Sequence, residues 1–241
     1  MNETSWLIEA YFPSRIEKLK PLIKTAIASC SMPATSPQMA VPSNVFPGAT
    51  LALTSSTYEE IRGFVTVNGH EITKAEIQVR LPNWNKGMPH RLVSSKPIAL
   101  YQVVSCRNYL REAESLLETL NSSMNSFEYT ETVEELNSCL AKAKLLISER
   151  TSTKGNQSFF QDVPADMTPS FFIHSGHLVL SLLFSSAQKT RKKSSDDVST
   201  TTQKIQIETV IPSIATTLTI LNHACELSSE IKSKLNLFPL H

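Results

Sequence analysis

The side chains best suited to chemistry in this sequence are its six histidines and four cysteines. His174 and His177 flank Ser175-Gly176, a spacing that sets two imidazoles across a tight turn where they could share a cation. No third ligand accompanies them, so a solvated turn is expected and no metal. Cys106 or Cys225 with His223 could make a thiolate–imidazole nucleophile for hydrolysis. Both cysteines fall on apolar helical stripes, however, and no glycine-bearing oxyanion loop stands beside them. With Cys30 and Cys139 they form no CxxC pair, and the expectation is reduced core thiols. The adjacent acids Glu59-Glu60 and Glu134-Glu135 read as solvated surface. The residues therefore supply no catalytic group, no metal set and no cofactor site, and an enzyme is not expected.

A different chemistry, that of docking, is carried by Pro82-Asn83-Trp84-Asn85-Lys86-Gly87-Met88-Pro89. Trp84 and Met88 stand in a turn between strands, where little core is at hand, and Trp is enriched at protein–protein hot spots. Phe159-Phe160 stands equally exposed in a loop. Trp84, Met88, Phe159 and Phe160 are the candidate partner-binding residues. The competing reading folds Trp84 back onto a sheet edge.

These positions need a frame, and its strongest signal runs from Ala99 to Met124. Ala99, Val103, Cys106, Leu110, Ala113, Leu117, Leu120 and Met124 recur at alternating gaps of four and three, the seam of a helix that packs on other helices. Tyr129, Val133, Leu136, Leu140, Ala143 and Ile147 repeat the seam after a short polar break, which makes an antiparallel helix hairpin. Ile214, Leu218, Leu221 and Cys225 open a last helix after Ile211-Pro212. At the start, Trp6, Leu7, Ala10 and Tyr11 precede Pro13, and Ile16, Leu19, Leu22, Ile23, Ala26 and Ile27 follow it. Pro13 and Pro21 predict two helical pieces ending near Cys30.

Strand periodicity fills the rest. Leu51 and Leu53, Ile61 to Val67, and Ala75, Ile77, Val79 and Leu81 alternate, with a turn at Asn68-Gly69. Phe171 to Phe184 reads as a hairpin about Ser175-Gly176, and Ile205, Ile207 and Thr209 as a last strand. The expected fold is α+β. An antiparallel four-helix bundle forms from both termini and a central helix hairpin (1–30, 97–150 and 211–241). An antiparallel β-domain, one sheet, forms from two insertions (49–96 and 160–210). Residues 31–48, with four prolines, and 185–203, rich in Ser, Thr and charge, are expected as flexible loops.

Charge is nearly balanced, Lys+Arg 23 against Asp+Glu 22, so no global field points to nucleic acid. No basic-then-apolar leader and no run of about 18 apolar residues is found, so a cytoplasmic protein without direct membrane insertion is expected.

Three segments stand out: GFVTVNGHEITKAEIQVRLP at 63–82 with YQVVSCRNYLREAESLLETL at 101–120, DVPADMTPSFFIHSGHLVLSLL at 162–183, and IETVIPSIATTLTILNHACELSSEIKSKLNLF at 207–238. Together they resemble the Rogdi family of leucine-zipper proteins, which includes the small subunit of the fungal RAVE complex. Trp6-Leu7-Ile8 adds the opening. Pro13, Pro21 and the 185–203 loop depart from the family pattern. The resemblance implies a helical bundle carrying a β-domain and a non-catalytic scaffold or adaptor. Its partners would be a large WD-repeat scaffold of the rabconnectin type and, through the complex, peripheral-sector subunits of the V-ATPase. The role implied is assembly of that proton pump and so vacuolar acidification, with peripheral recruitment to vacuolar and endosomal membranes. The alternatives are a homodimeric coiled-coil adaptor of an unrelated cytosolic complex, using the 99–124 seam, and the Cys–His hydrolase above.

Overall fold

The computed structural model describes residues 10–31, 48–54, 61–81, 84–120, 124, 126–150, 157–187 and 200–237. The Trp6-Leu7-Ile8 opening, nearly all of the proline-rich 31–48 segment, Glu59-Glu60 and residues 188–199 of the Ser/Thr-rich segment lie outside them. Among the described residues the fold is α+β, with four long helices and two antiparallel sheets.

The helices are α1 (Phe12–Ser31), α2 (Tyr101–Thr119), α3 (Ser126–Ser148) and α4 (Pro212–Leu237). Helices α1 and α3 each pack on both α2 and α4. The apolar seams face inward as their spacing requires: Val103, Cys106, Leu110, Ala113 and Leu117 of α2 are sealed against Val133, Leu136, Leu140 and Ala143 of α3 and their neighbours. Polar clasps secure the outer rims. Glu230 of α4 accepts from Tyr11 (2.6 Å) and from Arg15 of α1 (2.9 Å), and Asn137 of α3 donates to the carbonyl of Ser228 at 3.2 Å.

Two expectations about helices are corrected. Pro21 neither breaks α1 nor delays its start: it sits inside a continuous helix with its ring exposed, and Pro13 lies in the first turn, where the missing N–H would be unpaired anyway, while most of the piece expected before Pro13 lies outside the described residues. Helix α2 also starts later and ends earlier than its seam suggests. Ala99 belongs to a two-residue strand, Ile98–Ala99, paired with Glu71 and Ile72, and Leu120 closes the last turn.

The strands form two sheets instead of one. The first runs β1 (Ala49–Thr54), β2 (Ile61–Asn68), β3 (Glu71–Val79), β4 (His90–Ser94) and, past the short β5 (Ile98–Ala99) that pairs with β3, ends on β6 (Phe160–Gln161). The second is β7 (Met167–His174), β8 (His177–Ala187) and β9 (Thr200–Val210). Strand β6 comes from the second insertion yet completes the sheet of the first, so the two insertions are interlocked. The sheets meet at both margins: β1 runs beside β9, and Phe160 of β6 stacks on Phe171 of β7 at 6.1 Å. One apolar cluster then runs without a break from Leu53, Ile77 and Leu92 through Leu180 to the helices.

The Ser/Thr-rich ends of 185–203 are strand, a further correction: Ser185, Ser186 and Ala187 pair with Thr202, Thr201 and Thr200. Threonine suits a pleated surface, and the partner strand supplies the backbone bonds that composition alone could not promise.

Two hairpin tips, those of β2–β3 and β7–β8, are seated at helix ends. The β2–β3 turn at Gly69-His70 lies against the end of α1, and His70 accepts from the N–H of Leu100 at 2.7 Å where α2 begins. The β7–β8 turn meets the end of α3: the N–H groups of Ser175 and Gly176 donate to the carbonyls of Ser148 (3.1 Å) and Ile147 (3.0 Å). A helix terminus leaves four carbonyls without intrahelical partners, and the turn answers two of them. Gly176 simultaneously presses on Ala215 in the first turn of α4.

Candidate docking surface at the β3–β4 turn

The connection from β3 to β4 is a wound, polar turn. Trp84 donates its N–H to Leu81 and accepts from Gly87, which closes the 3-10 turn Asn85–Gly87. Lys86 (φ 54°) and Gly87 (φ 72°) are both left-handed, and the guanidinium of Arg80 holds the Gly87 carbonyl at 3.2 Å. A lysine in that region costs about 1–2 kcal/mol, strain of the kind that clusters at binding loops.

Trp84 is half-buried. Its indole stands edge-on to Phe184 of β8 at 5.3 Å and to His90 at 5.8 Å, while its N–H donates to Asp166 at 2.9 Å. It is folded against the sheet margin and bolts the turn of one sheet to the other. Met88, by contrast, keeps 62% of its surface exposed. The outlook for Phe159-Phe160 is corrected: Phe160 is buried, and Phe159 is partly covered with its carbonyl accepting from the N–H and hydroxyl of Ser95. The pairing of Phe160 with Ser94 sets it at the opposite end of β4 from the turn, about 13 Å away at strand rise. Trp84 and Met88 therefore share a surface that the two phenylalanines do not.

That surface continues into a groove of about 520 Å³ on the outward face of β2, β3 and β4. Pro89 and His90 form its rim beside Met88; Arg62, Phe64, Glu76 and Arg91 line it. The alternation of each strand put Val65, Ala75, Ile77 and Leu92 inward, so these polar partners face out together. Arg91 is paired with Glu76, Nη2 at 2.7 Å and Nε at 2.9 Å to the same oxygen. The ammonium of Lys74 sits over the ring of Phe64 at 5.2 Å. The cations of this face form no run in the sequence: Arg62 and Arg91, which line the groove, and Lys74 beside it lie on three different strands and are brought to one face by register.

The other chemical candidates are placed as follows. His174 and His177 face each other across the β7–β8 pairing, and a ring nitrogen of His177 lies 2.9 Å from the Ser175 carbonyl. Among the described residues no three His, Cys, Asp or Glu gather as metal ligands. Cys106 is sealed between helices, where a hydrogen bond with Cys30 and burial hold its thiol protonated. Cys225 and the exposed His223 stand two positions apart on α4 and so face different sides of the helix. No described helix is long and apolar enough to cross a membrane.

Taken by architecture, this is an α+β protein in which two sheets are locked by their hairpin tips to helix ends and expose a strained turn with an adjoining groove. The chain belongs to the Rogdi leucine-zipper family: the profile of the family described as "Rogdi leucine zipper containing protein" matches residues 3–184. It is similar to "Protein rogdi homolog" of Danio rerio, 21% identical over a 268-residue alignment covering 98% of this chain and 92% of the relative. It is also similar to the protein of the same name from Rattus norvegicus, 19% identical over 192 residues, 75% of this chain and 65% of that relative.

Proposed function

We propose that this chain is a non-catalytic adaptor subunit of a RAVE-like complex. It would bind a large WD-repeat scaffold and promote assembly of the peripheral and membrane sectors of the vacuolar and endosomal proton-translocating ATPase, recruited from the cytoplasm to those membranes. Family membership across residues 3–184 is the observation that carries this reading. The physical logic is tethering, which raises the effective concentration of two sectors without any new contact between them. In this reading the antiparallel four-helix bundle (1–30, 97–150, 211–241) is the rigid frame, and the strand-built part (49–96, 160–210) offers the docking turn at Trp84 and Met88. Phe159 is a subsidiary contact, and Phe160 supports it from within the core.

The homodimeric coiled coil is the weaker alternative. It needs Val103, Cys106, Leu110 and Leu117 for a partner chain, and all four are already covered within this one. Cells lacking the protein test the proposal: the fraction of peripheral-sector subunits on vacuolar membranes should fall and vacuolar pH rise. Unchanged membrane recovery of those subunits would refute it.

A further inference from the structure

We propose that the groove on the outward face of β2, β3 and β4 is a docking site for an acidic peptide segment of a partner protein. The proposal builds on the adaptor reading and names the chemistry of what it grips. Three observations carry it. First, the face is basic although the whole chain is balanced: Arg62, Lys74 and Arg91 on its strands, with Arg80 just after β3, stand against the two acids Glu71 and Glu76 of β3. Second, Arg91 contacts Glu76 through Nε and Nη2, one edge of a fork with five N–H donors, and stays two-thirds exposed, so its other edge can meet an incoming carboxylate. Third, the groove is not polar throughout. Phe64 forms part of its lining, and Pro89 leads out to the exposed Met88, so an apolar residue among the acids has a seat.

A strand or loop carrying carboxylates fits this arrangement better than a flat anionic membrane. Arg62 and Arg91 lie within a recess that Pro89 and His90 also line, a concave seat that admits a chain segment and that a flat bilayer surface does not fill. Binding would combine carboxylate–guanidinium pairs with burial of one or two apolar side chains.

The test is fluorescence anisotropy of a labelled oligo-glutamate peptide bearing a central leucine, titrated with the full chain. The expected result is binding that weakens as salt is added, with an oligo-glutamine counterpart failing to bind. Arg62→Gln with Arg91→Gln should lower affinity by about tenfold or more, since one charge-assisted pair is worth roughly a factor of ten. Lys18→Gln with Lys24→Gln on the exposed side of α1, the same change in net charge, should leave affinity unaltered. Glu76→Gln removes the acid that competes for Arg91 and should tighten binding severalfold, a gain that misfolding cannot mimic. Absence of binding, equal loss in the two double variants, or preferential binding of phosphatidylserine-containing vesicles would each overturn the proposal. Loss of the groove leaves the adaptor reading intact if the WD-repeat scaffold still co-purifies with the Arg62/Arg91 variant. Peptide binding without any scaffold partner leaves the groove and removes the adaptor reading.

Discussion

The side-chain amide of Gln102 grips both backbone polar groups of Ile173. The Ile173 N–H donates to Oε1 at 2.6 Å, and Nε2 donates back to the Ile173 carbonyl at 2.8 Å. The same Nε2 reaches the carbonyl of Leu146 in α3 at 2.7 Å. A helix residue thus does for β7 what a neighbouring strand would do, on the margin where β7 has no ladder partner, and ties α2, α3 and the second sheet at one buried point. Gln102→Leu fills the space but leaves those groups unpaired. We expect a loss of about 2–5 kcal/mol, seen as a lower urea midpoint at unchanged slope. Gln102→Glu keeps the shape, yet its ionised carboxylate cannot donate. Its folded-state pKa is raised, so its stability is whole at low pH and is lost as pH rises through that value. The variant should regain stability on acidification toward about pH 4.

The β7–β8 tip gives a contrast of neighbouring residues. Ser175 (φ 49°) and Gly176 (φ 77°) form a turn in which both central residues are left-handed. Ser175→Asn should be neutral or stabilising by a few tenths of a kcal/mol, because Asn tolerates that region and Asn-Gly favours such turns. Gly176→Ala should cost about 1–3 kcal/mol, from the φ penalty and from a Cβ set 3.1 Å from the Ala215 backbone. Thermal melts of the two variants check both signs. Equal effects would show that the tip is not wedged between α3 and α4.

Tyr129 supplies a prediction of opposite sign. Its ring packs on Phe12 at 5.7 Å, while its hydroxyl is buried with no partner among the described residues, and burial pushes its pKa up. Tyr129→Phe removes the unpaired hydroxyl and keeps the ring, so stability should hold or rise by up to about 1 kcal/mol. Leu117→Ala, which opens a cavity in the same helical core, should cost about 2–5 kcal/mol. Chemical denaturation of the pair measures the difference; a destabilised Tyr129→Phe would reveal a partner for the hydroxyl.

The thiols report burial through pH. Burial, then the nearby charge of Glu112, pushes the Cys139 thiol up to about 11. Between the ordinary thiol value and that raised value the unfolded chain gains by ionising while the folded thiol stays protonated, so the thiol's contribution to stability is eroded there. That contribution is whole below the ordinary thiol value and is lost as pH rises toward about 11. At neutral pH, alkylation of native protein should therefore label the partly exposed Cys225 first and spare Cys30, Cys106 and Cys139 until unfolding. Mass spectrometry of the labelled peptides reads the order, and early labelling of Cys106 would contradict the packing described.

Local periodicity was enough for the seams of α2, α3 and α4 and for the Ser175-Gly176 turn, because each is specified by residues a few positions apart. Contacts distant in sequence were not legible. Gln102 looks like one more polar residue in a first turn, and only the arrival of β7 gives it a role. Phe160–Gln161 is too short to show alternation, so β6, and with it the division into two sheets, had no local signature. Pro21 carries a true local penalty that the packing of Phe12, Ile16, Leu19 and Ile23 outweighs, whereas Pro13 in the first turn carries none. At the candidate surface, Met88 was visible as an apolar residue in a turn without core, whereas Trp84 packs back on Phe184 of the other sheet. Its anchor Asp166 and the basic groove were hidden by strand register.

The central claim, that this family member docks a scaffold through the β3–β4 turn, is tested most directly by low-salt affinity purification of the tagged chain beside its Met88→Asp variant. The account predicts that the unaltered chain brings down a WD-repeat scaffold and proton-pump peripheral subunits, and that the variant, folded to the same melting temperature, recovers far less of both. Recovery of neither by the unaltered chain, or full recovery by the variant, would contradict it.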